Sequence, residues 1–321
     1  MLRKIIGGIL LCCMLITGLA SCSNTRSDFY EKAYTLSSGT LTLWVGRESE
    51  DGKKLSEEDT AKLFFESAAL FEKYYTALTQ GSDIQQLNSD VNFVFDCDEK
   101  TVSAVAEAIE LCKKIAGRFV PVNGAYTSLV MSGDTDESKL LSALDLGGAD
   151  MFSAEGTTLE KTKSEARLDL SCYAAGYALD KTAEFLAENK VKCARVSYGD
   201  MERVFGAKPD GTAYTVETVT GGARGCFKIT DGALASLSEE KGGISYGGDF
   251  TAVTVFATEG RVAQTLSGAL MSMTRDEVKE FYKSGNVSFE AVLSLKDGTV
   301  MCTDRAEALY TEVTTENEKN K

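Results

Sequence analysis

The chain contains no histidine. This removes the usual partner of a catalytic serine or cysteine, so Ser-His and Cys-His nucleophilic pairs are excluded. It also makes a zinc centre improbable on chemical grounds, and no cysteines occur at CxxC spacing to build one. Positive charge is scarce: 34 Lys and Arg against 48 Asp and Glu leave a formal charge of −14 at pH 7. Such a polyanion repels nucleic acid and anionic headgroups, so no nucleic-acid partner is expected, and a phosphate-bearing ligand would need local cations. Only two prolines occur, Pro121 and Pro209, neither in a linker-like run, and there are no internal repeats. One large α+β domain, a mixed or antiparallel sheet with packed helices, is the simplest organisation.

What is present begins with an address. Arg3 and Lys4 precede an apolar run from Ile5 to Leu19, and Leu19-Ala20-Ser21-Cys22 has the form of a bacterial lipoprotein processing site. The expected division is a signal peptide over 1–21, a spacer over 22–28 behind a lipidated Cys22, a domain over 29–303 and a polar, disordered tail over 304–321. Loss of Arg3 and Lys4 with no acid takes the charge from −14 to −16. Two or more acyl chains on Cys22 would hold the protein stably on the extracytoplasmic face of the cell membrane. No later stretch is long and apolar enough to span a bilayer. The six cysteines beyond Cys22 read as small apolar core thiols.

Periodicity sets the elements. Thr40–Val45 alternates as a strand with Leu41, Leu43 and Val45 on one face. Ser56 with Glu57, Glu58 and Asp59 opens a long helix to about Thr79. Residues 80–90 read as a loop, 92–96 as a short strand, and Thr101 as the cap of a second helix ended by Gly117. A third helix follows Asp169 and leads into a strand over 191–197. Further strands are expected at 214–219, 226–229, 233–237 and 252–256, with helices at 262–273 and 275–282. A hairpin over 287–302 closes on Lys296-Asp297-Gly298.

Residues 168–180 read LDLSCYAAGYALD. This segment resembles the central motif of the FAD:protein FMN transferases, once called thiamine-biosynthesis lipoproteins, in which a carboxylate precedes Ala-Lys-Gly-Tyr and an Asp. Asp169, Leu170, Ser171, Gly176, Tyr177 and Asp180 fit, and Ala175 stands in place of the lysine. Shorter motifs follow in the family's order. Ser38-Gly39-Thr40 resembles Met-Gly-Thr, and residues 81–88 (GSDIQQLN) resemble Asp-Ser-Glu-Ile-x-x-Leu-Asn. Residues 117–122 (GRFVPV) resemble Gly-x-Phe-Asp-Pro-Thr, with Val120 and Val122 replacing polar residues. Residues 196–200 (VSYGD) and 208–211 (KPDG) match a strand-turn ending and the turn that follows it.

The resemblance implies a flavin-transferase-like fold and FAD as substrate. Ser38, Gly39, Thr40, Phe119, Asp169, Cys172, Ala175 and Gly176 are the matched cofactor-binding positions, and Ser82, Asn88 and Asp200 also fall on motif positions along the cleft. Departures concentrate at the chemistry. The family's histidine-containing stretch aligns with residues 242–249, which lack histidine. Its magnesium-binding Asp and Thr align with Gln264 and Gly268, while Cys172 holds the position whose backbone carbonyl completes the metal shell. FMN transfer to a target threonine depends on neutralising pyrophosphate charge, and a hard divalent ion wants anionic oxygens. The expectation is therefore a catalytically weak or silent lipoprotein on this fold, binding a flavin, another ligand or an extracytoplasmic protein partner, with magnesium disfavoured. The alternative is an active transferase that modifies extracytoplasmic flavoproteins.

Overall fold

The computed structural model describes residues 28–89, 94–115, 123–220, 223–239 and 247–312. Its early strands are β1 (Phe29–Leu36), β2 (Gly39–Gly46), β3 (Val94–Asp96), β4 (Phe152–Glu155) and β5 (Thr158–Lys161). Then come β6 (Ala194–Tyr198), β7 (Met201–Phe205), β8 (Tyr214–Thr220), β9 (Ala223–Ile229) and β10 (Gly232–Ser238). The last four are β11 (Phe250–Ala257), β12 (Glu290–Leu295), β13 (Val300–Cys302) and β14 (Tyr310–Glu312). The helices are α1 (Glu57–Thr79), α2 (Ser82–Leu87), α3 (Glu99–Lys114), α4 (Gly124–Met131) and α5 (Glu137–Leu144). They continue with α6 (Ser171–Glu188), α7 (Gly260–Met271), α8 (Arg275–Ser284) and α9 (Ala306–Leu309).

An eight-stranded sheet in the order β1-β2-β6-β7-β10-β11-β12-β13 organises the molecule, and neighbouring strands pair antiparallel. The period-two pattern of β2 sends Leu41, Leu43 and Val45 to one face, where all three are fully buried. On that face lie α1, α6 and α7, bringing Phe71, Leu179 and Leu266 into the same core. The opposite face is covered by a small sheet, β14-β9-β8, through Val204, Val216, Phe227 and Leu234. A satellite built on α2, α3 and the sheet β3-β5-β4 packs around Val105, Leu159 and the first half of α6, including Tyr173 and Tyr177. The α+β architecture expected from the sequence is the one observed.

Several boundaries differ from expectation for identifiable reasons. Residues 82–87 are helical rather than loop, with Ile84 and Leu87 buried against the satellite. Asp98, not Thr101, caps α3, its carboxylate accepting the Lys100 N–H, and the helix ends at Lys114. Gly117, the expected terminator, lies outside the described residues. The strands β1 and β7 and the α4–β5 segment were not anticipated, because few of their residues are buried and they carry no clean apolar stripe. The tail expected to be disordered from 304 is ordered through Glu312. Ala306 is fully buried and β14 pairs with β9 at Tyr310–Phe227, so the folded region extends beyond the expected end at 303. Among the described residues no disulfide joins the cysteines. Cys112 and Cys193 are buried as core thiols should be, whereas Cys172 is exposed.

Candidate functional site

The motif segment 168–180 carries the candidate site at the head of α6. Asp169, one residue ahead of the N-cap Leu170, accepts the Ser171 N–H at 3.0 Å and so satisfies one of the donors left free at the helix start. Ser171 and Cys172 are exposed beside it. The Cys172 thiol, although open to solvent, is crowded by protein atoms. That desolvation raises its pKa above the ordinary thiol value, the Ser171 hydroxyl opposes the shift and the Asp169 charge adds to it. It is therefore a poor thiolate nucleophile.

Residues 173–180 of α6 are buried without a break. Ala175 lies in the core on the α1 side, only 5 % exposed. Gly176 is at a crossing: a Cβ there would lie 2.3 Å from the Gly260 carbonyl oxygen of α7, and a Cβ on Gly260 would lie 2.8 Å from the Gly176 carbonyl oxygen. Two glycines let the helices touch backbone to backbone. One turn on, Asp180 is 4 % exposed and accepts the Gly260 and Arg261 N–H groups at 2.6 and 3.1 Å, capping α7. Arg203 and Arg261 approach the same carboxylate at 3.4 and 3.6 Å. Burial nevertheless dominates, pushing the Asp180 pKa up to about 6 against the opposing N–H groups and arginines. Arg261 also reaches Glu107 at 3.2 Å and Glu259 at 2.8 Å, tying the satellite to the crossing.

Gln264 of α7 completes the junction. Its Oε1 accepts the Gly176 N–H at 2.8 Å and its Nε2 donates to the Ser171 carbonyl at 3.1 Å. The neighbouring Thr265 hydroxyl donates to the Cys172 carbonyl at 3.4 Å. Gly268 lies buried in the same helix.

The remaining expected positions are dispersed. Ser38 lies in the β1–β2 turn, and Gly39 and Thr40 open β2, paired with Leu36 and Thr35. Tyr198 donates from its hydroxyl to the Ser38 carbonyl at 2.7 Å and lays its ring against Gly39, while also packing on Phe71 and Tyr75. Within that aromatic cluster Tyr75 is pushed up to about 12, by burial first and Tyr198 second. Asn88 is a clamp rather than a cleft-lining group: its side chain accepts the Leu168 N–H at 2.7 Å and donates to the Leu168 carbonyl at 2.9 Å. Asp200 lines a separate recess beside Glu202, Glu217 and Ser236, between the large and small sheets. Phe119, Val120, Val122 and residues 242–246 lie outside the described residues. Sequence reasoning missed Thr265, Tyr198 and the arginines around Asp180. The available signals were the adjacency of Thr265 to Gln264 and the place of Tyr198 in the motif over 196–200, whereas the arginines approach Asp180 from β7 and from the start of α7.

The sequence profile of the ApbE family matches residues 40–239, more than half of the chain. The chain belongs to the ApbE family. Solved structures with the same fold include the flavin transferase ApbE from Vibrio cholerae, with a TM-score of 0.73 and 17 % identity over 88 % of this chain and 99 % of that one. The apo flavinyl transferase ApbE of Pseudomonas stutzeri has a TM-score of 0.75 at 18 % identity, covering 90 % of this chain and 98 % of its own. The ApbE protein of Thermotoga maritima has a TM-score of 0.68 at 18 % identity, covering 88 % and 99 %. No curated protein matches the chain.

Family membership makes the divalent-metal position a test of this chain's own residues. The Gln264 amide is neutral and spends both its polar atoms on backbone, Gly268 has no side chain, and the Cys172 carbonyl already receives a hydroxyl. Among the described residues, no three acids or cysteines converge to replace them. This donor set does not fit a hard cation that requires anionic oxygens in an open shell.

Proposed function

We propose that this ApbE-family protein is a lipid-anchored binding protein, catalytically weak or silent as an FAD:protein FMN transferase. The observation that carries the reading is the Gln264 brace. A side-chain amide joins the first turn of α6 to α7 at the position where the family resemblance calls for a metal-binding acid. Phosphoryl transfer gains most of its rate from positioned cations. With Ala175 buried where the resemblance expects lysine, this end of the cleft loses a second positive charge. What the head of α6 presents is Asp169, Ser171 and Cys172, a polar surface suited to holding a ligand or an extracytoplasmic polypeptide.

The deciding assay incubates the full chain with FAD, magnesium and a threonine-containing acceptor peptide and reads flavin fluorescence retained on the peptide. The expected result is no retained flavin, with any FAD binding indifferent to magnesium. Transfer at rates ordinary for an enzyme would establish the second reading, an active transferase on extracytoplasmic flavoproteins, which family membership favours. Anchoring rests on the Arg3–Cys22 segment, and a Cys22→Ala chain should leave the membrane fraction.

A further inference from the structure

A cavity of about 340 Å³ opens where the ends of β11 and β12 meet α9, and it contains none of the residues placed at the α6 site. That volume falls in the range of roughly 300–1,000 Å³ typical of small-molecule sites. Phe256, Phe289, Ala308 and Leu309 supply apolar walls. Two charged side chains share the same lining, Glu290 and Arg305.

Glu290 is only 8 % exposed and no cation is paired with it among the described residues. Its Oε2 accepts from the Thr303 hydroxyl, from the Arg305 backbone N–H at 3.1 Å and from the Tyr282 hydroxyl at 3.2 Å. Among the described residues its Oε1 accepts from Tyr282 alone, at 3.2 Å, and so keeps acceptor capacity. A buried carboxylate served only by neutral donors is an electrostatic vacancy for a positive group. Arg305 is exposed, and its guanidinium makes no ion pair or hydrogen bond among the described residues, although this chain carries a formal charge of −14. A simple cation would meet Arg305, and a simple anion would meet Glu290. A molecule carrying both charges a few bonds apart satisfies both residues.

We propose that this cavity binds a zwitterion with an apolar side group, an apolar α-amino acid in chemical class. The ammonium is held by Glu290, the carboxylate by Arg305, and the side group lies among Phe256, Phe289 and Leu309. The site is independent of the flavin cleft, so the outcome of the transfer assay does not bear on it.

Isothermal titration of the full chain with phenylalanine tests it, compared with phenethylamine and 3-phenylpropionate, which each retain one of the two charges. Phenylalanine should bind saturably and each analogue about tenfold or more weaker. Arg305→Gln, an exposed change, should weaken phenylalanine by a similar factor and leave the unfolding midpoint unaltered. Glu290→Gln should do the same to binding, and if that variant fails to fold, Arg305→Gln decides alone. Absence of saturable phenylalanine binding overturns the proposal. Analogues that bind as tightly as phenylalanine, or an Arg305→Gln protein that binds like the parent, overturn it equally.

Discussion

Asp180 and Glu290 are both carboxylates removed from water, 4 % and 8 % exposed, and they are satisfied in different ways. Each oxygen of Asp180 accepts a backbone N–H from the first turn of α7 and faces an arginine, Arg203 of β7 or Arg261 of α7, so its hydrogen-bond donors are fixed by the helix crossing. Glu290 is served mainly by hydroxyls of Tyr282 and Thr303, which can rotate, and it opens on a cavity. The first arrangement holds two helices together. The second tolerates exchange of partners, which is what a binding group needs. Within one fold, partner rigidity separates a structural acid from a functional one.

The severest way to break the crossing is to add one methyl group. Gly176→Ala would place a Cβ 2.3 Å from the Gly260 carbonyl oxygen and 2.5 Å from the Arg261 nitrogen, atoms of another helix's backbone that cannot rotate away. Overpacking of this kind costs about 3 kcal/mol or more, and urea unfolding should show it as a midpoint loss with an unchanged slope. A glycine-to-alanine gain, the usual result in a helix interior, would mean that α6 and α7 do not touch here.

Asp180→Asn sharpens the comparison through pH. Asp180 has a folded pKa of about 6 against an ordinary value of 3.8, so the folded state holds its proton more tightly than the unfolded chain does. The stability it contributes is full below about pH 4 and is lost as pH rises through 6, a change of about 3 kcal/mol across that window. Subtracting the Asp180→Asn unfolding curve from that of the parent should isolate this slope. A flat difference between pH 4 and 7 would show that Arg203 and Arg261 hold the carboxyl ionised after all.

These features differ in how far they could be read from sequence. The α1 helix was legible because Ser56 and three acids mark its start and the apolar stripe is long. The start of α6 was legible because Asp169 stands just ahead of the helix, placed to take up a free N–H of its first residue. The Gly176–Gly260 contact, the arginines at Asp180 and the Asn88 clamp on Leu168 were not, since each joins residues roughly 80 positions apart or approaches from another strand. Asn88 and Asp200 both fit family motifs, yet one is consumed by backbone and the other lines a different recess. Motif order reports the fold, whereas the job of an individual side chain depends on who reaches it in three dimensions.

The Gln264 brace gives an intermediate effect. Gln264→Ala removes an acceptor for the Gly176 N–H and a donor to the Ser171 carbonyl. At about 1 kcal/mol for each such bond, the loss should be roughly 2 kcal/mol. Gln264→Asp instead supplies an anionic oxygen but no donor for Ser171. That variant should be destabilised in chelator and regain stability on adding magnesium, whereas the parent should be indifferent to the ion. A parent protein stabilised by millimolar magnesium would contradict the reading of this position.

The smallest expected effect closes the comparison at the other acid. Glu290→Gln can keep its carbonyl oxygen where Oε2 now accepts from Thr303, Arg305 and Tyr282, leaving the new NH₂ at the Oε1 position. Among the described residues the only partner there is the Tyr282 hydroxyl, which can turn to accept instead of donate. The stability cost should stay below about 1 kcal/mol, far less than Asp180→Asn at neutral pH, whose NH₂ must face a backbone N–H or an arginine whichever way the amide turns. Parallel urea titrations of the two variants at pH 7 measure the contrast. Equal losses would show that Glu290 is as rigidly held as Asp180, and the distinction between a structural and an exchangeable acid would fall with it.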